Sequence, residues 1–288
     1  MGSSAPPARS FVSVVITVKN EGRHLRRLLE SLRSQEEPYE VVVVDALSTD
    51  STFAIAEEFA AGAPARFHAF QRFGSRGIGR NAGVHASKGE FVAFIDGDCF
   101  ADSAWLHALR EGFATSDIVA GTTVAVGSPQ YGALDRVELF RRGSDVTYPS
   151  CNLGYRRARF EELRGFDPRF ITAEDIDLNL RAVQRGARIL HQPAAIVYHE
   201  MRPNLVRFLY QAFWNGYGRK QLTEKHGTLW GSYRVRRLVE TQRTVIAWAR
   251  LVAALAGYLT RVVTGTGRRL SPGAASSTPR PDEDPAAG

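Results

Sequence analysis

The stretch EFVAFIDGDCFAD, Glu90–Asp102, decides how the rest of the chain is read. Its first half is apolar and suits a buried strand. It ends in two acids, Asp96 and Asp98, with Gly97 between them. Side chains so spaced share one face of an extended chain. Like charges there repel unless something positive sits between them. A divalent cation answers that need. A surface turn, where acids are common, is the plain alternative.

Working outward, the same pattern recurs. FVSVVITV (Phe11–Val18), YEVVVVDA (Tyr39–Ala46) and ARFHAF (Ala65–Phe70) read as three further strands. Between the first two, Leu25, Leu28, Leu29 and Leu32 form one apolar helical stripe, with Asn20 a candidate cap. STDSTFAIAEEFAA (Ser48–Ala61) reads as a second helix capped by Ser48 or Asp50, and GRNAGVHASKG (Gly79–Gly89) as a third, closed by Gly89. Strands alternating with helices predict a largely parallel α/β sheet covered on both faces. Beyond Phe100 the order loosens. SAWLHALREGF is a helix, DIVAGTTVAV a strand, and EDIDLNLRAVQRG a helix closed by Gly186. ARIL and AAIVYH are two short strands. Pro129 to Ser150 shows no regular pattern, and no internal repeat is present.

Composition sets outer bounds. The 288 residues are 44% hydrophobic and 23% charged, as in an ordinary globular protein. The net charge of +7 rests mainly on arginine. Arginine's planar fork suits phosphate oxygens, so phosphorylated ligands, nucleic acid and anionic membranes are all compatible. Cys99 and Cys151 lack zinc-site spacing and are expected as reduced thiols of a cytosolic protein. Residues 1–10 lack an apolar signal-peptide core and read as a flexible arm.

In an open α/β sheet, ligands gather at the carboxyl ends of the strands. Asp45, Asp96 and the segment TVKNE (Thr17–Glu21) all fall at such ends. The chain from Phe11 to about Lys220 resembles the family 2 glycosyltransferases of the GT-A fold. The resemblance rests on VSVVITVKNE, VVVVDALSTDST, GRNAGVHASKGEFVAFIDGD, GFDPRF and AEDIDLNLRAVQRG, in that order. It implies an α/β, Rossmann-like mixed and mostly parallel sheet flanked by helices, with a C-terminal helical extension. The expected domains are a GT-A domain over 11–225, a helical and candidate membrane-interfacial segment over 226–270, and a disordered tail over 271–288.

The resemblance also implies roles. Asp98 binds Mg²⁺ or Mn²⁺, Asp96 faces the ribose or a metal-bound water, and His199 is a candidate third ligand. Thr17, Asn20, Glu21 and Asp45 belong to the nucleoside pocket. Arg80 contacts the base or the diphosphate, and Arg219 in NGYGRK reaches the diphosphate. Asp175 in TAEDIDL is the base that takes the acceptor proton, with Glu174 its neighbour, and the CNLGYRR segment is a loop lining donor sugar and acceptor. One departure stands out: where the family has Asp-Asp-Gly-Ser, this chain has Asp45-Ala46-Leu47-Ser48. The absence of a QxxRW pattern suggests transfer of single sugars. The implied partners are a nucleotide-diphosphate sugar donor and a glycan or lipid-linked acceptor, with no nucleic acid.

Two other enzyme readings are weaker. Gly74, Gly77 and Gly79 precede a helix, but their spacing is not the GxGxxG of a dinucleotide fold. A sugar-phosphate nucleotidyltransferase calls for a Gly-rich basic loop after the first strand, and TVKNEGRH is not one. A non-catalytic sugar-nucleotide binder is the third alternative, motivated by the altered Asp45–Ser48 loop. Near the C-terminus, residues 235–263 are nearly continuous helix former. At about 100° per residue, Arg236, Arg243, Arg250 and Arg261 fall within about 40° of one another. A basic stripe on an otherwise apolar helix suits an anionic membrane surface; a membrane-spanning helix and packing on the domain or on a second subunit are the alternatives. The expected location is the cytoplasm, with the cytoplasmic membrane face as the site of peripheral contact.

Overall fold

In a computed structural model, residues 10–127, 137–201, 205–229 and 244–265 are described. The expected arm up to residue 9, the tail over 271–288, and Arg236 and Arg243 lie outside them. The N-terminal half alternates as its patterning predicts: β1 Val12–Val18, α1 Leu25–Arg33, β2 Tyr39–Asp45, α2 Thr52–Gly62, β3 Phe67–Gln71, α3 Arg76–His85 and β4 Phe91–Asp96. Then come β5 Cys99–Ala101, α4 Trp105–Phe113 and β6 Ile118–Gly127, and a two-stranded ribbon of β7 Phe140–Arg141 and β8 Ser144–Asp145. The remainder is β9 Leu153–Arg156, α5 Arg157–Glu162, α6 Glu174–Gln184, β10 Leu190–Met201, α7 Leu205–His226 and α8 Val245–Thr264.

Eight strands form one sheet in the order β3-β2-β1-β4-β9-β6-β10-β5. β3, β2, β1 and β4 are parallel, as are β6 and β10. β9 runs antiparallel between β4 and β6, and β5 antiparallel on β10. The sheet is therefore mixed and mostly parallel, and helices cover both faces. The four leucines of α1 and Trp105 of α4 pack on Val12, Val14 and Ile16. On the other face Val15, Val92 and Phe94 meet Phe160, Phe166 and Leu178. Alternation along β1 divides its side chains between these two layers.

Several local expectations are corrected. CNLGYRR is not a loop: Ser150–Asn152 form a single 3₁₀ turn, and Leu153–Arg156 are a central strand. ARIL and AAIVYH are not separate strands. Of ARIL only Leu190 is in a strand; it opens β10, which also carries AAIVYH and whose register on β6 shifts between Gln192 and Ile196. Pro193 sits in that shift, where a missing N–H costs the ladder nothing. Asn20 does not cap α1, because its side chain is engaged elsewhere. Of the two candidate caps for α2, Asp50 accepts the Thr52 amide (3.0 Å), while Ser48 bonds back to Asp45. The third helix ends at His85, before Gly89.

Candidate active site

Register places the first polar group. Thr17 stands opposite Asp96 across β1 and β4, and Val18 opposite Asp45 across β1 and β2. Thr17 Oγ1 is buried and has no hydrogen-bond partner among the described residues. A buried hydroxyl left so is costly unless a ligand satisfies it. Behind it, α3 comes close because Gly79 has no side chain; a Cβ there would lie 2.8 Å from Thr17 Cγ2. Gly79, one of the glycines weighed as a dinucleotide motif, thus serves helix-to-sheet packing.

Arg80, on the same turn of α3, is the hub. The residue is only 1% exposed. Nη2 donates to Asp96 Oδ1 at 2.7 Å and Nη1 donates to Glu174 Oε1 at 2.6 Å. The fork thereby ties the end of β4 to the start of α6. Burial works to lower the Arg80 pKa, but the charges of Asp96, Glu174 and Asp175 hold it above its ordinary value. Burial pushes the Glu174 carboxyl up even with Arg80 beside it. Asn81 secures the facing loop by bonding both Phe166 N–H (2.9 Å) and Phe166 O (2.8 Å), and the Phe166 ring lies 5.5 Å from the Arg80 guanidinium carbon.

Asp175 follows Glu174 at the N-terminus of α6. Ala173 reaches that terminus in a left-handed conformation, φ 62°. Asp175 Oδ1 accepts the Ile176 amide (2.8 Å) and Oδ2 accepts the Ser150 amide (3.1 Å), with Ser150 Oγ at 3.5 Å. The carboxylate is oriented from both sides while staying partly exposed. Ser150 was missed from sequence, and nothing local to it carries a signal.

Asp98 is met by β10. Antiparallel pairing sets His199 opposite Cys99, and the Glu200 amide donates to Asp98 O at 3.0 Å. His199 Nε2 then lies 3.4 Å from Asp98 Oδ1. The ligand atoms of Asp98, Cys99 and His199 fall within 4.8 Å of one another, a spread that one ion can bridge. Burial works to lower the His199 pKa, but the bond to Asp98 and its charge push it up to about 9. Hydrogen bonding to Cys151, then burial, pushes the Cys99 thiol up. Asp98 carboxylate oxygen and, once an ion displaces its proton, His199 imidazole nitrogen form a set that fits Mn²⁺ and, through oxygen, Mg²⁺. Gly97 is needed in this turn because a Cβ would press on Val18 Cγ1 at 2.7 Å and on Glu21 Cγ at 3.2 Å.

The other expected residues serve the rim. Asn20 Oδ1 accepts the Thr49 amide (2.9 Å), and the Asn20 amide donates to Ser48 Oγ (2.8 Å), joining the loops after β1 and β2. The Glu21 amide donates to Thr52 Oγ1 (2.8 Å). Asp45 is buried; it accepts the Ser48 amide (2.9 Å) and Gln71 Nε2 (2.8 Å), so it also shapes the loop. Leu47 occupies the family's glycine position with φ 56° and an exposed side chain. Arg219, on α7, donates to Val137 O at 3.0 Å, one residue from where Gly218 packs on Ala173.

A mixed sheet with Asp-Gly-Asp at a strand end and an acidic helix start beside it defines a GT-A glycosyltransferase scaffold. The family described as "Glycosyl transferase family 2" matches residues 13–164, and the chain belongs to that family. It is 29% identical to the pre-mycofactocin glycosyltransferase of Mycobacterium tuberculosis over 285 residues, which cover 92% of this chain and 58% of that protein. It is 30% identical to glycosyltransferase AglE of Haloferax volcanii, covering 67% of this chain and 68% of the relative. The chain thus spans little more than half the length of the first of these. Among solved structures, the mannosyltransferase PcManGT of Pyrobaculum calidifontis with GDP-Man and Mn²⁺ superposes with a TM-score of 0.59 at 20% identity, covering 92% of this chain and 79% of that one. Staphylococcus aureus TarS 1–349 with UDP-GlcNAc gives 0.54 at 19%, covering 88% and 92%. At such identities the likeness speaks for the fold.

Proposed function

We propose that the chain is a metal-dependent, inverting glycosyltransferase that moves one sugar from a nucleotide-diphosphate sugar to an acceptor hydroxyl or phosphate. The observation that carries this reading is the Arg80 fork. It holds Asp96, at the DxD turn, and Glu174, next to Asp175, at the same end of the sheet. Donor-side and acceptor-side carboxylates are thereby fixed relative to each other before any substrate arrives.

Asp98 and His199 would hold Mg²⁺ or Mn²⁺, and the ion, when bound, would offset the diphosphate charge. Thr17 offers an unpaired hydroxyl to the nucleotide at the end of β1. Asn20, Glu21 and Asp45 form and support the loops around the nucleoside, and Arg219 stands at the far rim. Asp175 takes the acceptor proton as the acceptor oxygen attacks the anomeric carbon from the face opposite the leaving group. Ser150 and the Ile176 amide keep that carboxylate aimed. Glu174, engaged by Arg80, positions Asp175 and does not itself move the proton. GDP-Man and UDP-GlcNAc, carried by the solved relatives, make guanosine and uridine donors the first to try.

The test is calorimetric titration with UDP and GDP, with and without Mn²⁺, on the native chain, Asp98→Ala and Asp175→Asn. One nucleotide should bind only with metal, lose that binding in Asp98→Ala, and keep it in Asp175→Asn while sugar transfer falls by roughly 10²–10⁴-fold, the usual worth of a general base. Binding that ignores both metal and Asp98 would sink the proposal. Unimpaired transfer by Asp175→Asn would remove its base.

A further inference from the structure

The C-terminal helices are built the wrong way round for water. Gly216 of α7 faces Ala254 of α8, Lys220 faces Tyr258 and Glu224 faces Arg261, so the two helices run in the same direction. They cross at glycine: a Cβ on Gly216 would overlap the Ala254 carbonyl, and one on Gly257 the Phe213 carbonyl. Polar groups are turned into this seam. Arg261 bonds Glu224 Oε2 through Nη2 (2.8 Å) and Nε (3.0 Å), and Tyr217 Oη through Nη1 (3.2 Å). Arg261, read from sequence as part of an outward basic stripe, therefore points inward.

The apolar residues face out. Trp248, Val252, Leu255, Leu259 and Val263 recur at four- and three-residue spacing along α8, and each is more than half exposed. Val206 and Tyr210 of α7 are exposed as well. Tyr210, Phe213, Trp214 and Tyr217 form a chain of edge-to-face rings. Small residues and charge pairs at the helix contact with apolar side chains outside are the arrangement favoured in lipid. Aromatic clusters belong at the headgroup level.

Charge selects the kind of lipid. Arg261 is taken up by Glu224 in the seam and Lys225 by Asp167 and Asp177, so the cations of α7 and α8 that count toward a surface are Arg207, Arg219, Lys220 and Arg250. Such a set favours an anionic surface by about 1 kcal/mol for each cation near it. We infer that the outer face of α7 and α8 seats the protein on an anionic bilayer. The candidate active site comes with it, because Gly218 of α7 packs on Thr172 and Ala173, just ahead of Glu174 and Asp175. Asp175 is thus held near the lipid surface, where a lipid-linked acceptor would present its reacting oxygen. Vesicle binding itself is independent of the catalytic reading.

The experiment is flotation of the full chain with vesicles of phosphatidylcholine alone and with 30% phosphatidylglycerol, alongside light scattering without lipid. The full chain should float with the anionic vesicles at least tenfold more than with the neutral ones. The double variant V252E/L259E, altered only at exposed positions, should lose at least tenfold of that binding with an unchanged melting temperature. D98A should bind vesicles as the native chain does. Equal flotation with both lipids, or with neither, would overturn the inference. So would a stable dimer in lipid-free solution that V252E/L259E takes apart, since a second copy would then cover the face.

Discussion

At the residue scale, Arg80 and Leu47 are the positions where local cost is concentrated. Arg80 is buried with two carboxylates on its fork, and removing it leaves Asp96 and Glu174 facing each other without a cation. Breaking such a buried pair costs about 3–5 kcal/mol. Arg80→Ala should lower the urea unfolding free energy by that amount. Arg80→Lys should recover less than half of it, since an ammonium cannot span both acids as a planar fork does. A loss under 1 kcal/mol for Arg80→Ala would show that the network is not the clasp described. Leu47 is a different case. A non-glycine residue in the left-handed region costs roughly 1–2 kcal/mol, and glycine gives back roughly 0.5–1 kcal/mol of that gain through its freer unfolded chain. Leu47→Gly should therefore stabilise the protein by up to about 1 kcal/mol, a melting-point rise of about 2–4 °C. The sequence marked Leu47 only as a departure from Asp-Asp-Gly-Ser. That the backbone keeps the glycine conformation follows from the Asn20, Ser48 and Asp45 bonds around it, which couple residues far apart in the chain.

At the element scale, legibility followed burial. β1, β2 and β4 are mostly apolar and are legible from that alone. β9 is not: four residues with a glycine and an arginine become a strand only because β4 and β6 offer edges on either side. α7 was missed because α6 and α8 contact it from different sides, which blurs any single stripe. Its docking onto α6 combines Leu222, packed with Ile176, Leu180 and Val183, with ion pairs. Lys225 Nζ donates to Asp167 Oδ2 (2.6 Å) and pairs with Asp177 Oδ1 (2.7 Å), and His226 Nε2 also lies 2.7 Å from Asp177 Oδ1. Burial works to raise both carboxyls. Arg169 and Lys225 nevertheless hold Asp167 well below the usual carboxylate range, and His226, Arg181 and Lys225 hold Asp177 below it. Lowered acids stabilise above their unfolded value, near pH 4, and that stability is lost as pH falls through the folded values. Lys225→Met should therefore lie about 1.5–3 kcal/mol below the native chain at pH 7, the range for hydrogen bonds to charged groups. The gap should narrow progressively as pH falls below about 4, toward the low folded values. A gap constant from pH 7 to pH 2 in urea titrations would mean that Lys225 acts through packing alone.

At the scale of the whole molecule, one sheet supports everything except α8. The strand ends carry the proposed site, and the resemblance picked out Asp96, Asp98, Glu174 and Asp175 as a set. It could not show that Arg80 joins two of them, because 94 positions separate Arg80 from Glu174 and only the folded sheet brings them together. α8 hangs on this body through α7, with only 11% of its most apolar window buried. Local stability tracks burial and packing density, so the two parts should open independently. Deuterium exchange of the full chain checks this. Amides of β1 and β4 should be protected close to the global unfolding limit, whereas those of α8 should exchange at least about a hundredfold faster, through openings that leave the sheet intact. Anionic vesicles should slow α8 and leave β1 unchanged, because lipid replaces the water now facing Trp248, Val252, Leu255 and Leu259 while the sheet gains no contact. Protection of α8 equal to that of β1 in the absence of lipid would mean that the Gly216–Gly257 crossing and the Arg261–Glu224 pair suffice to make it part of the cooperative core. The outward apolar face would then have to be explained by something other than a helix that waits for a membrane to complete its packing.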